Sequence, residues 1–202
     1  GLLTGAAKDP ITVRLSYEEF VPDDYFGRTG AHALCLGSGG AGAALVHQLA
    51  AREDRPGRIV VTGLQQAKLD AVRALVERSG LGDAEIDYVR TDDPADADAL
   101  VASLPTGSLI ANSTGMGKDT PGSPLTGRAE FPERSVVWDF NYRGTLELLG
   151  QARAQADQRG LRVVDGWRYF VHGWSQVIAD VFGMKITTAQ VDRLSDIADR
   201  LR

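Results

Sequence analysis

Residues 33–50, ALCLGSGGAGAALVHQLA, constrain this chain more than any other stretch. A short apolar run, 33–37, meets three glycines and passes directly into alanines and leucines. The run reads as a buried strand. Residues 41–52 read as a helix with Ala44, Leu45 and Leu49 on its inner face. Between them Gly37, Gly39 and Gly42 make G-x-G-x-x-G. In that context each glycine has a physical job. Gly37 permits the tight turn, Gly39 lets a pyrophosphate approach the backbone, and Gly42 lets the helix pack on the strand. The free N–H groups at the helix start then cradle phosphate, so Gly37, Ser38, Gly39, Gly40, Ala41 and Gly42 are the first candidate ligand residues.

The rest of the chain repeats the alternation. Strands are predicted at 58–62, 85–90, 107–112, 135–140 and in LRVVDG near 161–166. Helices are predicted at 64–79, from Asp93–Pro94 onward, and over 145–159, 167–182 and 187–201. Six strands alternating with helices predict an α/β, Rossmann-like, doubly wound, mostly parallel sheet with helices on both faces. Residues 31–202 would form this dinucleotide-binding domain. Residues 1–30 read as a connector, with Ser16 and Glu19 as a capping box for a short helix. Because the chain begins at Gly1 rather than Met, the reading is of a fragment lacking an upstream domain.

Composition narrows the partners. Net charge is −5 over 202 residues, so no broad nucleic-acid surface is expected, and an anionic ligand needs local donors. No apolar stretch approaches the roughly 20 residues of a membrane span. The lone Cys35 excludes an internal disulfide and suggests a reducing, cytoplasmic setting. The three histidines are scattered and no cysteine cluster exists, so no metal site is expected. No G-x-S-x-G elbow supports a serine hydrolase, and no H-R-D or D-F-G supports a kinase.

In an open parallel sheet, ligands sit beyond the carboxyl ends of the strands. Thr62, the 112–117 loop, Asp139 to Tyr142 and Asp165 are therefore candidates. At the end of the second strand no acid stands to take a ribose hydroxyl. Thr62 could bond a 2′-phosphate and Lys68 could pair with it, which favours NADP over NAD slightly. On the 167–182 helix, Phe170, Trp174, Val177, Ile178, Val181 and Phe182 follow helical spacing and read as core. Tyr169, His172, Gly173, Gln176 and Asp180 mark another face, from which Tyr169, His172 and Gln176 would point at a substrate.

From Leu34 to Gly183 the chain resembles the nucleotide-binding domain of the shikimate/quinate dehydrogenase family. LGSGGAG looks like that family's glycine turn. ANSTGMG resembles its Asn-x-Thr-x-x-Gly loop, carried by Asn112, Thr114 and Gly117. WDFNYRGT resembles its Asp-x-x-Tyr segment, with Asp139 and Tyr142. DGWRYFVHGWSQVIADVFG resembles its last helix in length and apolar pattern. The resemblance implies cofactor contacts from Asn112, Ser113, Thr114, Gly115, Met116, Asp139 and Tyr142, with Tyr142 also facing substrate. It implies hydride transfer between NADP, or NAD, and a small cyclic hydroxy or keto acid.

The departures are specific. The family's Asn-Arg-Thr after the second strand is here Thr62-Gly63-Leu64. Its substrate-touching glutamine aligns with Gly173, and its nicotinamide-side methionine with Tyr169. The family's catalytic lysine belongs to an N-terminal domain that nothing before Gly30 could build. Asp9 is the candidate counterpart of the aspartate paired with that lysine, and a surface Lys-Asp-Pro turn is the other reading of the same residues. The isolated chain is thus expected to be inactive. A non-catalytic dinucleotide-binding module of the same fold remains the alternative, and a homodimer is left open.

Overall fold

The computed structural model describes residues 5–200. Gly1–Thr4 of the expected connector, and residue 201 of the expected last helix, lie outside the described residues. Six strands form one sheet: β1 (Ala33–Leu36), β2 (Ile59–Gly63), β3 (Ile86–Arg90), β4 (Leu109–Asn112), β5 (Val136–Asp139) and β6 (Arg162–Val164). Their order is β3-β2-β1-β4-β5-β6, and the paired strands are all parallel. The expected doubly wound α/β architecture is therefore observed.

Alternation along the strands builds two cores. Ala33 and Cys35 on β1, Ile59 and Val61 on β2, Leu109 and Ala111 on β4, and Trp138 on β5 face one layer. Leu34, Leu36, Val60, Ile110 and Val137 face the other. Strands buried on both faces read as continuous apolar runs, which is why the sequence shows no alternation there. Helices α3 (Gly40–Ala50) and α4 (Gln66–Arg78) pack on the first side. Helices α5 (Pro94–Ala102) and α6 (Glu147–Arg153) pack on the second. Ala44, Leu45 and Leu49 are buried as expected.

The amino-terminal segment packs on the body as two helices, α1 (Asp9–Tyr17) and α2 (Tyr25–Thr29). Val13, Tyr17, Phe20, Val21 and Phe26 sit in the first core, with Phe20 edge-on to Trp138 at 5.2 Å. The apolar residues of this segment are too irregularly spaced to announce a core helix, and only the neighbouring α3 and the later helix α8 (Trp167–Phe182) make them one. Ser16 does not cap anything either. It lies near the end of α1 and its hydroxyl donates back to the Thr12 carbonyl at 2.7 Å.

Two more expectations shift. The helix expected over 145–159 divides into α6 and α7 (Ala156–Arg159). Between them the Gln155 side chain bonds Phe131 N and the Ala129 carbonyl, tying this corner to the preceding loop. The last helices are α8 (Trp167–Phe182) and α9 (Thr188–Asp199). On α8 the buried face is reversed. Val171, His172 and Ser175 are buried, whereas Trp174, Val177, Ile178, Val181 and Phe182 are exposed, Phe182 by 74%. The strongest apolar stripe of α8 faces outward because α1 packs against the opposite side. There Gly173 lies beside the Thr12 side chain.

Candidate functional site

Where the strand order reverses, between β1 and β4, the connections leave in opposite directions and open a crevice. A cleft of about 500 Å³ lies there. Its floor is the glycine turn. Gly37 has φ +113°, a left-handed conformation that a side chain resists, and a Cβ there would come within 2.8 Å of Ser113 Oγ. A Cβ at Gly42 would run into the Gly37 carbonyl, so this glycine is a packing requirement between α3 and β1. Gly39 is different. Its backbone is ordinary, and a side chain there would meet nothing within 4 Å. Gly39 caps α3 with no side-chain hydrogen bond, leaving first-turn N–H groups at a positive helix end beside the cleft.

Cys35 and Ser113 brace the turn from beneath. The Cys35 thiol lies 3.4 Å from the Gly37 carbonyl, and burial pushes it up to about 12, so it is an inert donor. Ser113 Oγ reaches the carbonyls of Leu36 and Gly37 at 3.0 and 3.2 Å. These contacts lock the end of β4 to the end of β1.

Gly37, Ser38, Gly39, Thr62, Lys68, Ser113, Thr114 and Met116 line one cleft. The candidates from three separate stretches thus converge. Gly63 lies against Ser38, where a side chain would collide with the serine hydroxyl. Leu64 also lines the cleft but projects into solvent, 68% exposed. Lys68 is the only cation among the lining residues. Thr91, Asp92, Asp93 and Pro94, directly after β3, complete the far wall. Those four were missed, although the carboxyl-end rule applies to β3 as to the other strands. Asp93 accepts from Ala95 N as the cap of α5, and Asp92 pairs with Arg90.

Asn112 and Asp139 lie beneath the 112–117 loop. Both are fully buried, at 0% exposure. Asn112 Oδ1 accepts from Thr114 N and Oγ1 at 3.0 and 2.6 Å, and its Nδ2 donates to Asp139 Oδ2 at 3.1 Å. Asp139 Oδ1 accepts from Asn141 N at 2.8 Å. Asn141 Nδ2 in turn holds the Met116 carbonyl at 2.9 Å. The pair therefore shapes the 112–117 loop from below and presents Thr114 and Met116. Burial pushes the Asp139 carboxyl up to about 6 against these hydrogen bonds. Gly115 turns the loop at φ +76° and is not itself on the cleft wall.

The substrate-facing set does not assemble as one surface. His172 is 4% exposed, and its Nε2 lies 2.7 Å from Glu19 Oε1. Arg168 grips the same carboxylate at 2.6 to 2.9 Å and also reaches Asp192. Burial alone would raise Glu19, but His172 and Arg168 hold it below the usual carboxylate range. His172 is therefore a structural clasp between α8 and the turn after α1. Tyr142 stacks on Phe170 at 4.2 Å and is not among the residues lining the cleft. Gln176 is half-buried on α8.

Asp9 and Tyr169 do meet. The Tyr169 hydroxyl donates to Asp9 Oδ1 at 2.8 Å, and Asp9 Oδ2 lies 3.7 Å from where a Gly40 Cβ would stand. Gly40 and Ala41 belong to the first turn of α3, so Asp9 borders the glycine turn itself. Lys8 is directed elsewhere, to Asp180. Among the described residues no group of three or more His, Cys, Asp or Glu could hold a metal ion. No helix among them is long and apolar enough to cross a membrane.

No family model matches the chain. It is 35% identical over 147 residues to a shikimate dehydrogenase (NADP(+)) of Methylobacterium radiotolerans, an alignment covering 72% of this chain and 45% of that protein. The chain therefore spans less than half the length of this curated relative. Among solved structures, the quinate dehydrogenase of Corynebacterium glutamicum in complex with NAD superposes with TM-score 0.73 at 20% identity. That match covers 96% of this chain and 63% of the other. A shikimate dehydrogenase in complex with NADP+ superposes with TM-score 0.64 at 20% identity, over 96% and 62%. At those identities the likeness carries the fold.

Proposed function

We propose that this chain, a divergent relative of the shikimate dehydrogenases, is the dinucleotide-binding part of an NADP-dependent oxidoreductase acting on a small cyclic hydroxy acid. The observation that carries the reading is the uncapped α3 terminus with an open Gly39, placed at the switch point of the sheet. A dinucleotide fits it: the turn is free of side chains where a pyrophosphate must approach, and the cleft continues past Thr62 and Lys68.

In this reading the first-turn N–H groups of α3 hold the pyrophosphate. Thr62 and Lys68 face the adenosine ribose and its 2′-phosphate. Ser113, Thr114 and Met116 border the nicotinamide half, on a loop kept in shape by Asn112 and Asp139. When bound, the nicotinamide supplies the hydride chemistry. Asp9 offers a carboxylate beside the turn as the hydrogen-bond partner of a substrate hydroxyl. The opposite wall and the lysine that would exchange the hydroxyl proton belong to an upstream domain of a longer, cytoplasmic enzyme.

Calorimetric titration of the chain with NADP and with NAD tests the cofactor reading. Micromolar binding that Gly39→Val abolishes supports it. Binding unaffected by that change overturns it. A substrate screen on the full-length gene product then tests the reaction class.

A further inference from the structure

The contact between Tyr169 and Asp9 joins two helices that meet only in the tertiary structure, and it divides the work of one carboxylate. Oδ1 accepts the phenol at 2.8 Å. Among the described residues Oδ2 accepts no hydrogen bond, and it is the oxygen that faces Gly40, in the first turn of α3. The adjacent cation does not compete for it, because Lys8 pairs with Asp180.

Tyr169 is held rigidly enough to act on Asp9. Its ring packs edge-on against Phe140 at 4.7 Å and Trp138 at 6.2 Å, both residues of the first core. Burial first, and then the hydrogen bond and charge of Asp9, hold the phenol above its ordinary range. The hydroxyl therefore stays protonated and remains the donor. Asp9 has little other support: it stands in the first turn of a nine-residue helix, after a lysine that does not cap it.

We infer that Tyr169 is a positioning residue for Asp9: it occupies one carboxylate oxygen and so presents the other, at the first turn of α3, to a substrate hydroxyl. This rests on the reading of Asp9 given above. Tyr169 need not touch substrate in this arrangement; it works through the aspartate.

The test is a double-mutant cycle in the full-length gene product, assayed for NADP-dependent oxidation of cyclic hydroxy acids. Tyr169→Phe removes one hydroxyl and keeps the ring in its aromatic packing. It should lower kcat/KM about tenfold, as expected for one charge-assisted hydrogen bond, while the NADP Kd changes less than about twofold. Asp9→Asn should lower kcat/KM by about a hundredfold or more, on the scale of a lost reacting-group contact. The double variant should be no worse than Asp9→Asn alone, because the tyrosine then has nothing to position. Independent, multiplying losses overturn the inference, since they mean that Tyr169 acts by another route. Loss in Asp9→Asn with full activity in Tyr169→Phe overturns this inference alone. Full activity in Asp9→Asn overturns the assignment of Asp9 and the inference with it.

Discussion

Asn112 donates to Asp139 across 3.1 Å, joining the carboxyl ends of β4 and β5 beneath the 112–117 loop. Both side chains are fully buried, so a carboxylate is kept inside the sheet to set the course of a loop. Its titration has a definite sign. Burial raises Asp139 to about 6, above its value near 4 in an unfolded chain. The native state therefore holds the proton more tightly than the unfolded state. This stabilisation is complete below about pH 4 and is lost as pH rises to about 6, a change of about 3 kcal/mol. Asp139→Asn should flatten that segment of the stability curve. Urea denaturation at pH 4, 5, 6 and 7 measures it, and an unchanged slope would refute the assignment.

Gly39 and Gly42 should respond oppositely. Valine at Gly39 meets open space on an ordinary backbone. It should cost the fold about 1 kcal/mol as a poor helix cap and remove dinucleotide affinity. Alanine at Gly42 collides with the Gly37 carbonyl, and overpacking at such a site costs about 1–3 kcal/mol. Thermal melts and calorimetry on both variants separate the two roles. Equal loss of stability in both would show that Gly39 is also a packing glycine.

Discrimination between NADP and NAD should be weak. Gly63 has no side chain to grip a 2′-phosphate, and among the described residues Lys68 is the only cation lining the cleft. The preference for NADP should stay under about 2 kcal/mol, the scale of a single charged contact. Lys68→Ala should weaken NADP binding about threefold to tenfold and leave NAD binding unchanged. A Kd ratio above about a hundredfold in either direction would mean that another residue reads the ribose.

The 202-residue chain should bind cofactor without oxidising shikimate or quinate, and turnover should require joining it to a substrate domain of the kind proposed above. Reacting atoms must be held within about 1 Å of the productive geometry, which one wall of a cleft does not do. Gln176→Ala in the longer protein should lower turnover and leave the NADP Kd nearly unchanged. Full activity of the 202-residue chain would refute the two-wall picture. Normal turnover in Gln176→Ala would return that residue to a surface role.

The outward stripe of α8 supplies a stability contrast. Trp174 and Phe182 are 57% and 74% exposed, so Trp174→Ser and Phe182→Ser should each change stability by less than about 0.5 kcal/mol. Val171 is 7% exposed against the core, and Val171→Ala should cost about 1–2 kcal/mol. Chemical denaturation of the three variants ranks the faces. A large loss at Trp174 would restore the stripe to the core.

The sequence by itself determined the strands, the glycine turn and the alternation that makes a parallel sheet. Those signals are local: a turn needs its glycines within six residues, and a strand buried on both faces needs an unbroken apolar run. It also named Thr62, Lys68, Ser113, Thr114 and Met116, because the ends of parallel strands lie together at one edge of the sheet. Tertiary structure alone decided which face of α8 is buried. Hydrophobic spacing marks a stripe but not its partner, and α1 packs on the other side. It also decided that His172 clasps Glu19, that Asn112 and Asp139 support the loop from below, and that Tyr169 meets Asp9 across 160 positions of chain. Such pairings depend on where whole helices dock, and the free energy of docking is spread over many distant side chains rather than written in any one segment.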